Sequence, residues 1–172
     1  MSILRVDTEA GVFTIRMHDE HAPDTCRYFT AIAEHGDLDG GSVFRITAPD
    51  NDTLSKDWKI NIIQFGTNEG LDASRATIRH ESTETTGLAH RRWTVSASRY
   101  APGEVYGSFF VCMRDEPALD FGGERRDDRQ GYAAFAEVIE GHATLEAIYA
   151  LAEANELLRR PIPITRVTVL DS

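Results

Sequence analysis

Phe109-Phe110-Val111-Cys112-Met113 is an unbroken apolar run, bounded by Gly107-Ser108 before it and Arg114-Asp115 after it. An apolar run this short between turn formers reads as a buried strand, because a helix would need about ten or more residues of pattern. The surrounding segment, from Gly40 to Arg114, nowhere carries an apolar period of helical length. It offers further short strands over 42–47, 60–65 and 93–98 instead. Upstream, Ile3, Arg5 and Asp7 alternate with Leu4 and Val6, and Phe13, Ile15 and Met17 alternate with Thr14 and Arg16. Thr8-Glu9-Ala10-Gly11 between them has turn chemistry, so the two predict a hairpin. Downstream, strands are expected over 132–139 and 164–170.

Two segments break this pattern. Pro23 suits a first helical position, Asp24 suits the positive end of the helix dipole, and Cys26, Phe29, Ile32 and Ala33 share one face before Gly36 ends the run. A second helix is expected from Thr144, with Leu145, Ile148, Tyr149 and Ala152 on one face and Arg159 and Arg160 near its negative pole. A βαβ fold would need helices between most strands, and the middle of the chain has none. Many short strands with two isolated amphipathic helices predict an antiparallel barrel or sandwich. A closed barrel has two open ends, and two helices could cover them.

The 172 residues are expected to form one domain, 1–172, and the 41% hydrophobic and 27% charged composition is globular. No apolar run exceeds the one at 147–152, far short of a membrane span. The first residues lack a basic segment followed by an apolar one, so a cytoplasmic location is expected. The net charge of −10 predicts no nucleic-acid or membrane partner, since Arg91-Arg92 and Arg125-Arg126 are too small to reverse that field locally. A monomer is expected. Cys26 and Cys112 cannot build a disulfide framework or a four-ligand zinc site and read as small, reduced hydrophobes.

Common catalytic motifs are absent. There is no G-x-S-x-G elbow and no P-loop. His80-Glu81 starts like a zinc-protease motif, but position 84 is Glu where the second His belongs, and His90 falls outside any helical pattern. Asp50-Asn51-Asp52 begins like a calcium loop, yet position 55 is Ser where Gly is needed, so a solvated loop is expected. No metal and no cofactor are predicted.

Longer strings carry more. Val43-Phe44-Arg45-Ile46, Ile62-Ile63-Gln64-Phe65-Gly66 and Gly107-Ser108-Phe109-Phe110-Val111-Cys112 occur in that order. Leu119-Asp120 and Phe135-Ala136-Glu137-Val138-Ile139-Glu140-Gly141 follow, and Ala22-Pro23-Asp24-Thr25 opens the first helix. Over 3–170 the chain resembles the cyclophilins, peptidyl-prolyl isomerases built on an eight-stranded antiparallel closed barrel capped by two helices. The resemblance implies isomerisation of X–Pro bonds in peptides and folding proteins, with Arg45 as the catalytic arginine and Gln64 holding the peptide backbone and orienting that arginine. Ile62, Phe110 and Leu119 match the proline pocket, and Arg99, Ser108 and Tyr132 match further peptide-contacting positions. The alternative is a binding module of the same fold that grips a proline segment or another small ligand with little turnover.

This sequence departs from the family's pattern at several rim positions. Phe44 stands where histidine is common before the arginine, Asn61 replaces a pocket-wall aromatic, and Ser108 replaces an amide side chain. Arg99 replaces a common asparagine, Tyr132 replaces histidine, and Ala118 replaces a tryptophan. The segment 47–63, with Pro49 and Trp58, is longer than the family's usual crossing. The resemblance therefore implies a retained arginine inside a reshaped rim, with activity reduced or confined to particular peptides.

Overall fold

The computed structural model describes residues 1–70 and 72–171. Strands β1 (Ser2–Thr8) and β2 (Gly11–Met17) form the expected hairpin, with Leu4 opposite Ile15 and Val6 opposite Phe13. Helix α1 (Pro23–His35) follows, then β3 (Ser42–Thr47), β4 (Ile62–Gly66), the short β5 (Arg75–Thr77) and the one-turn helix α2 (Thr83–Thr86). The chain continues through β6 (Thr94–Arg99), β7 (Glu104–Cys112), β8 (Ala134–Glu140), α3 (His142–Tyr149) and β9 (Leu157–Asp171). Every strand pair is antiparallel, in the order β4-β3-β9-β1-β2-β8-β6-β7, and a β4–β7 pairing closes the ring. That is an eight-stranded closed barrel. The ninth strand, β5, pairs with the first half of β7, where β4 no longer reaches.

Side chains of alternate residues fill the interior, as a pleated strand requires. Ile63, Phe65, Phe109 and Val111 point inward, together with Leu4, Val6, Phe13, Ile15 and Val95. Phe65 stacks on Phe109 at 4.8 Å, and Phe29 of α1 stacks on Phe135 at 4.5 Å, so the helix is joined to the barrel through aromatic faces. A second, smaller apolar cluster of Ile60, Ile62, Phe110, Cys112 and Leu119 lies on the other face of β4 and β7. Both faces of β4 are therefore buried, which is why its burial does not alternate.

Pro23 starts α1, and Gly36 ends it in the left-handed conformation at φ 85°. The cap at its start is long-range. Ala22 has no side chain able to cap, and the Glu81 carboxylate accepts from Asp24 N at 3.2 Å, Thr25 N at 2.8 Å and Thr25 Oγ1 at 2.7 Å. Glu81 is 1% exposed, so the carboxylate completes the helix from inside the protein.

Three expectations need correction. The second amphipathic helix, α3, stops at Tyr149, and Arg159 and Arg160 belong to β9. Pro161 and Pro163 cannot continue a helix, whereas Leu158, Ile164 and Val167 are buried by the barrel. Asn51 and Asp52 are not solvated either, although much of the surrounding loop is exposed. Asn51 and Asp52 are 4% and 6% exposed, and the Asn51 amide donates to Ile46 O and Glu153 O at 2.9 Å. Strand β7 also begins earlier than the apolar run, at Glu104, because Gly107 (φ 74°) and the polar Tyr106 and Ser108 interrupt the sequence pattern without ending the ladder.

Candidate active site

On the outer wall of the barrel, β3, β4 and β7 carry a cavity of about 410 Å³ whose floor is Ile60, Ile62, Phe110 and Leu119. Arg45, Gln64, Arg99 and Tyr132 line it as well. Ser108 does not. It is fully buried beside Gln64, whose Nε2 donates to Ser108 Oγ at 3.0 Å and Ser98 Oγ at 3.1 Å, with Tyr106 Oη at 3.4 Å. The amide nitrogen is held by hydroxyls from β6 and β7, while no donor among the described residues reaches Oε1.

Strict alternation from the inward-pointing Val43 would send Arg45 into the core. A β-bulge prevents this: Val43 pairs with Phe65 but Arg45 with Gln64, leaving Phe44 as the extra residue. Arg45 then shares the outer face with Gln64, and Ile46 returns to the interior at 0% exposure. Arg45 Nη2 donates to Glu156 Oε2 in an ion pair, and Arg45 Nε is buried with no hydrogen-bond partner among the described residues. Sequence reasoning had no signal for Glu156, which lies just before β9.

Beneath the cavity, Phe110 lies against the His90 ring at 6.2 Å and meets Tyr132 edge-on at 5.4 Å. His90 Nδ1 hydrogen-bonds Asp120 Oδ1 at 2.7 Å, and Nε2 hydrogen-bonds Ser96 Oγ at 2.8 Å. Burial pushes the His90 pKa down, opposed but not cancelled by Asp120. A neutral imidazole that donates from Nδ1 to the carboxylate and accepts at Nε2 fits both contacts. Although Ser96, His90 and Asp120 are ordered like a nucleophilic triad, Ser96 is 0% exposed and no substrate can reach it. The array instead fixes the Leu119-Asp120 turn. Burial also pushes the Cys112 thiol up, which leaves it an inert apolar filler.

The far wall comes from segments 48–61 and 121–131. Asp52 and Arg125 join them through a 2.6 Å ion pair with side chains 0% and 4% exposed, and Arg125 Nη1 also donates to Trp58 O at 3.1 Å. Arg99 forks onto Asp128 at 2.9 and 3.0 Å and also donates to Gly131 O and Tyr100 O. Its guanidinium lies 4.9 Å from the Tyr132 ring. Arg126 donates to Tyr132 Oη at 3.2 Å and Tyr100 O at 2.7 Å, and among the described residues it has no carboxylate partner. Among the described residues no group of three or more His, Cys, Asp or Glu side chains is placed to hold a metal ion.

A closed antiparallel barrel with an arginine–glutamine pair above an apolar floor on its outer wall defines a cyclophilin-like architecture. Residues 3–169 match the family model described as cyclophilin type peptidyl-prolyl cis-trans isomerase/CLD, and the chain belongs to that family. It is 25% identical over 170 residues to peptidyl-prolyl cis-trans isomerase cyp18 of Streptomyces antibioticus, covering 98% of this chain and 96% of that protein. It is 27% identical over 162 residues to peptidyl-prolyl cis-trans isomerase B of Escherichia coli (strain K12), covering 91% and 89% of the two chains. In fold it is similar to a cyclophilin type peptidyl-prolyl cis-trans isomerase of Cryptosporidium parvum, solved in the presence of the dipeptide Ala-Pro. That match has a TM-score of 0.75 and 18% identity over 99% of each chain.

Proposed function

We propose that this isomerase acts on X–Pro bonds of peptides and folding proteins by stabilising the twisted amide with Arg45. The observation that carries the reading is the cross-strand pair of Arg45 and Gln64 at the edge of the Ile62–Phe110–Leu119 floor. Rotation about an X–Pro bond faces a barrier of about 18–20 kcal/mol because the C–N bond has partial double-bond character. No bond breaks, so the reaction needs no nucleophile. As the bond twists, the prolyl nitrogen loses conjugation and its lone pair localises. A guanidinium N–H aimed at that nitrogen interacts more strongly with the twisted state than with either planar one, and that difference accelerates the step. The apolar floor takes the proline ring, and Gln64 Oε1 accepts a peptide N–H while the hydroxyls behind Nε2 keep the amide from turning. Arg99 and Tyr132 shape the rim that the flanking residues meet, and Ser108 acts from beneath through Gln64. A protease-coupled assay on proline peptides tests this directly: turnover that falls by about two or more orders of magnitude in Arg45→Ala supports it, and wild-type protein without turnover overturns it.

One observation favours the second reading, a binding module with little turnover. Arg126 is a rim cation held by a phenol and two carbonyls, which suits gripping an anionic group beside the proline better than twisting a bond. Binding of a proline peptide without exchange between its cis and trans signals selects this reading.

A further inference from the structure

We infer that Glu156 is a positioning residue for the isomerisation, setting the guanidinium of Arg45 against the substrate; this rests on the role proposed for Arg45. Glu156 is 8% exposed and is held on three sides. Its backbone oxygen accepts from Ile46 N at 3.0 Å, immediately after Arg45 in β3. The next residue, Leu157, is the register partner of Arg45. Its carboxylate accepts on both oxygens: Oε2 from Arg45 Nη2, and Oε1 from Thr53 N at 2.9 Å and Thr53 Oγ1 at 3.3 Å.

The chemistry of this arrangement requires a carboxylate. An amide in its place has one accepting oxygen and an NH2 group that only donates, so it can accept from Arg45 or from Thr53 N but not from both. An arginine side chain is rich in rotamers, and stabilising a small charge shift at one nitrogen requires the fork to be ordered beforehand. Glu156 supplies that order by fixing one Nη, which leaves the remaining N–H groups of the fork in a defined direction. The bulge at Phe44 brings the arginine to the outer face, and Glu156 selects its orientation there. The same carboxylate also anchors Thr53, which does not itself line the cavity, and the test must separate the two roles.

The experiment is a double-mutant cycle on the full chain, with kcat and KM measured for one neutral proline peptide. Glu156→Gln is expected to lower kcat about tenfold with KM within about twofold, because the binding floor is untouched. Glu156→Asp keeps the charge but is one methylene short of Arg45, and is expected to lower kcat in the same sense. Thr53→Val, which removes the hydroxyl contact to Glu156 and leaves Arg45 and the cavity lining untouched, is expected to leave both constants within about twofold. In an Arg45→Ala background Glu156→Gln is expected to have no further effect. Arginine Nε–Hε spectra supply an activity-free readout: slow rotation of the Arg45 guanidinium in the wild type, and faster rotation in Glu156→Gln. Unchanged or raised kcat in both Glu156 variants overturns the inference, as does an equal loss in Thr53→Val or additivity with Arg45→Ala. A wild type with no turnover overturns the proposed function itself, so the two failures are distinguishable.

Discussion

Arg45 and Gln64 face each other across β3 and β4 only because Phe44 is an extra residue in the ladder. The bulge moves a charged side chain from a position that alternation assigns to the core to the wall where the apolar floor begins. A charged group sent inward would meet Phe65 and Val43, both at 0% exposure, with no partner for its N–H groups. One inserted residue therefore reconciles a sealed core with a cation at the cavity edge.

Arg45→Ala is expected to lower kcat/KM by about two or more orders of magnitude while the far-ultraviolet spectrum stays that of the wild type. Arg45→Lys is expected to recover little of it, because a compact ammonium cannot both pair with Glu156 and present a planar fork. Near-normal turnover in folded Arg45→Ala would remove this residue from the mechanism.

Turnover is expected to be nearly flat from about pH 6.5 to 8.5, because arginine stays protonated and no proton is transferred. Stability should behave differently. Burial lowers the native pKa of His90 and of His18, so below the ordinary value near 6.5 the unfolded chain binds protons that the native one resists. Their contribution is complete above that pH and is lost as pH falls through it. Asp37 raises the pKa of His35 and works in the opposite sense, but that ring is largely exposed and its pairing is screened by solvent. Urea midpoints measured from pH 7.5 to 5 should fall; a rising midpoint would contradict the buried, neutral assignment of His90.

Glu81→Ala is expected to destabilise the protein by about 2–3 kcal/mol, since two N–H groups at the start of α1 and the Thr25 hydroxyl lose a buried acceptor. Glu81→Gln keeps one acceptor oxygen and should lose less. Denaturant unfolding compares them, and equal stability of wild type and Glu81→Ala would show that water replaces the cap.

Asp52→Ala should cost about 3–5 kcal/mol, because it strands the Arg125 guanidinium in a buried site. Replacing both partners, Asp52→Ala with Arg125→Met, should cost less than Asp52→Ala alone. A double variant less stable than the single one would mean that the ion pair itself, and not the avoidance of an unpaired charge, holds segments 48–61 and 121–131 together.

What the sequence determined by itself is local in origin. A run such as Phe109–Met113 must be a strand, Pro23 to Gly36 must be a helix, and the ordered strings around Arg45, Gln64 and Phe110 are specific enough to identify the family. These readings follow from side-chain period and from turn and cap chemistry, which act over a few residues. Tertiary structure decided which face each residue took and what it met. Glu156 reaches Arg45 across 111 positions of chain, Asp52 reaches Arg125 across 73, and Glu81 caps Thr25 across 56. A charge on a strand or in a loop carries no mark of such a partner, and alternation alone misassigns Arg45. Glu81 stands out in sequence only within an incomplete metal motif that predicts no metal, and Asp52 reads as part of a solvated loop, because both are polar. Closure of the barrel buries them, and burial is what obliges each to find its partner.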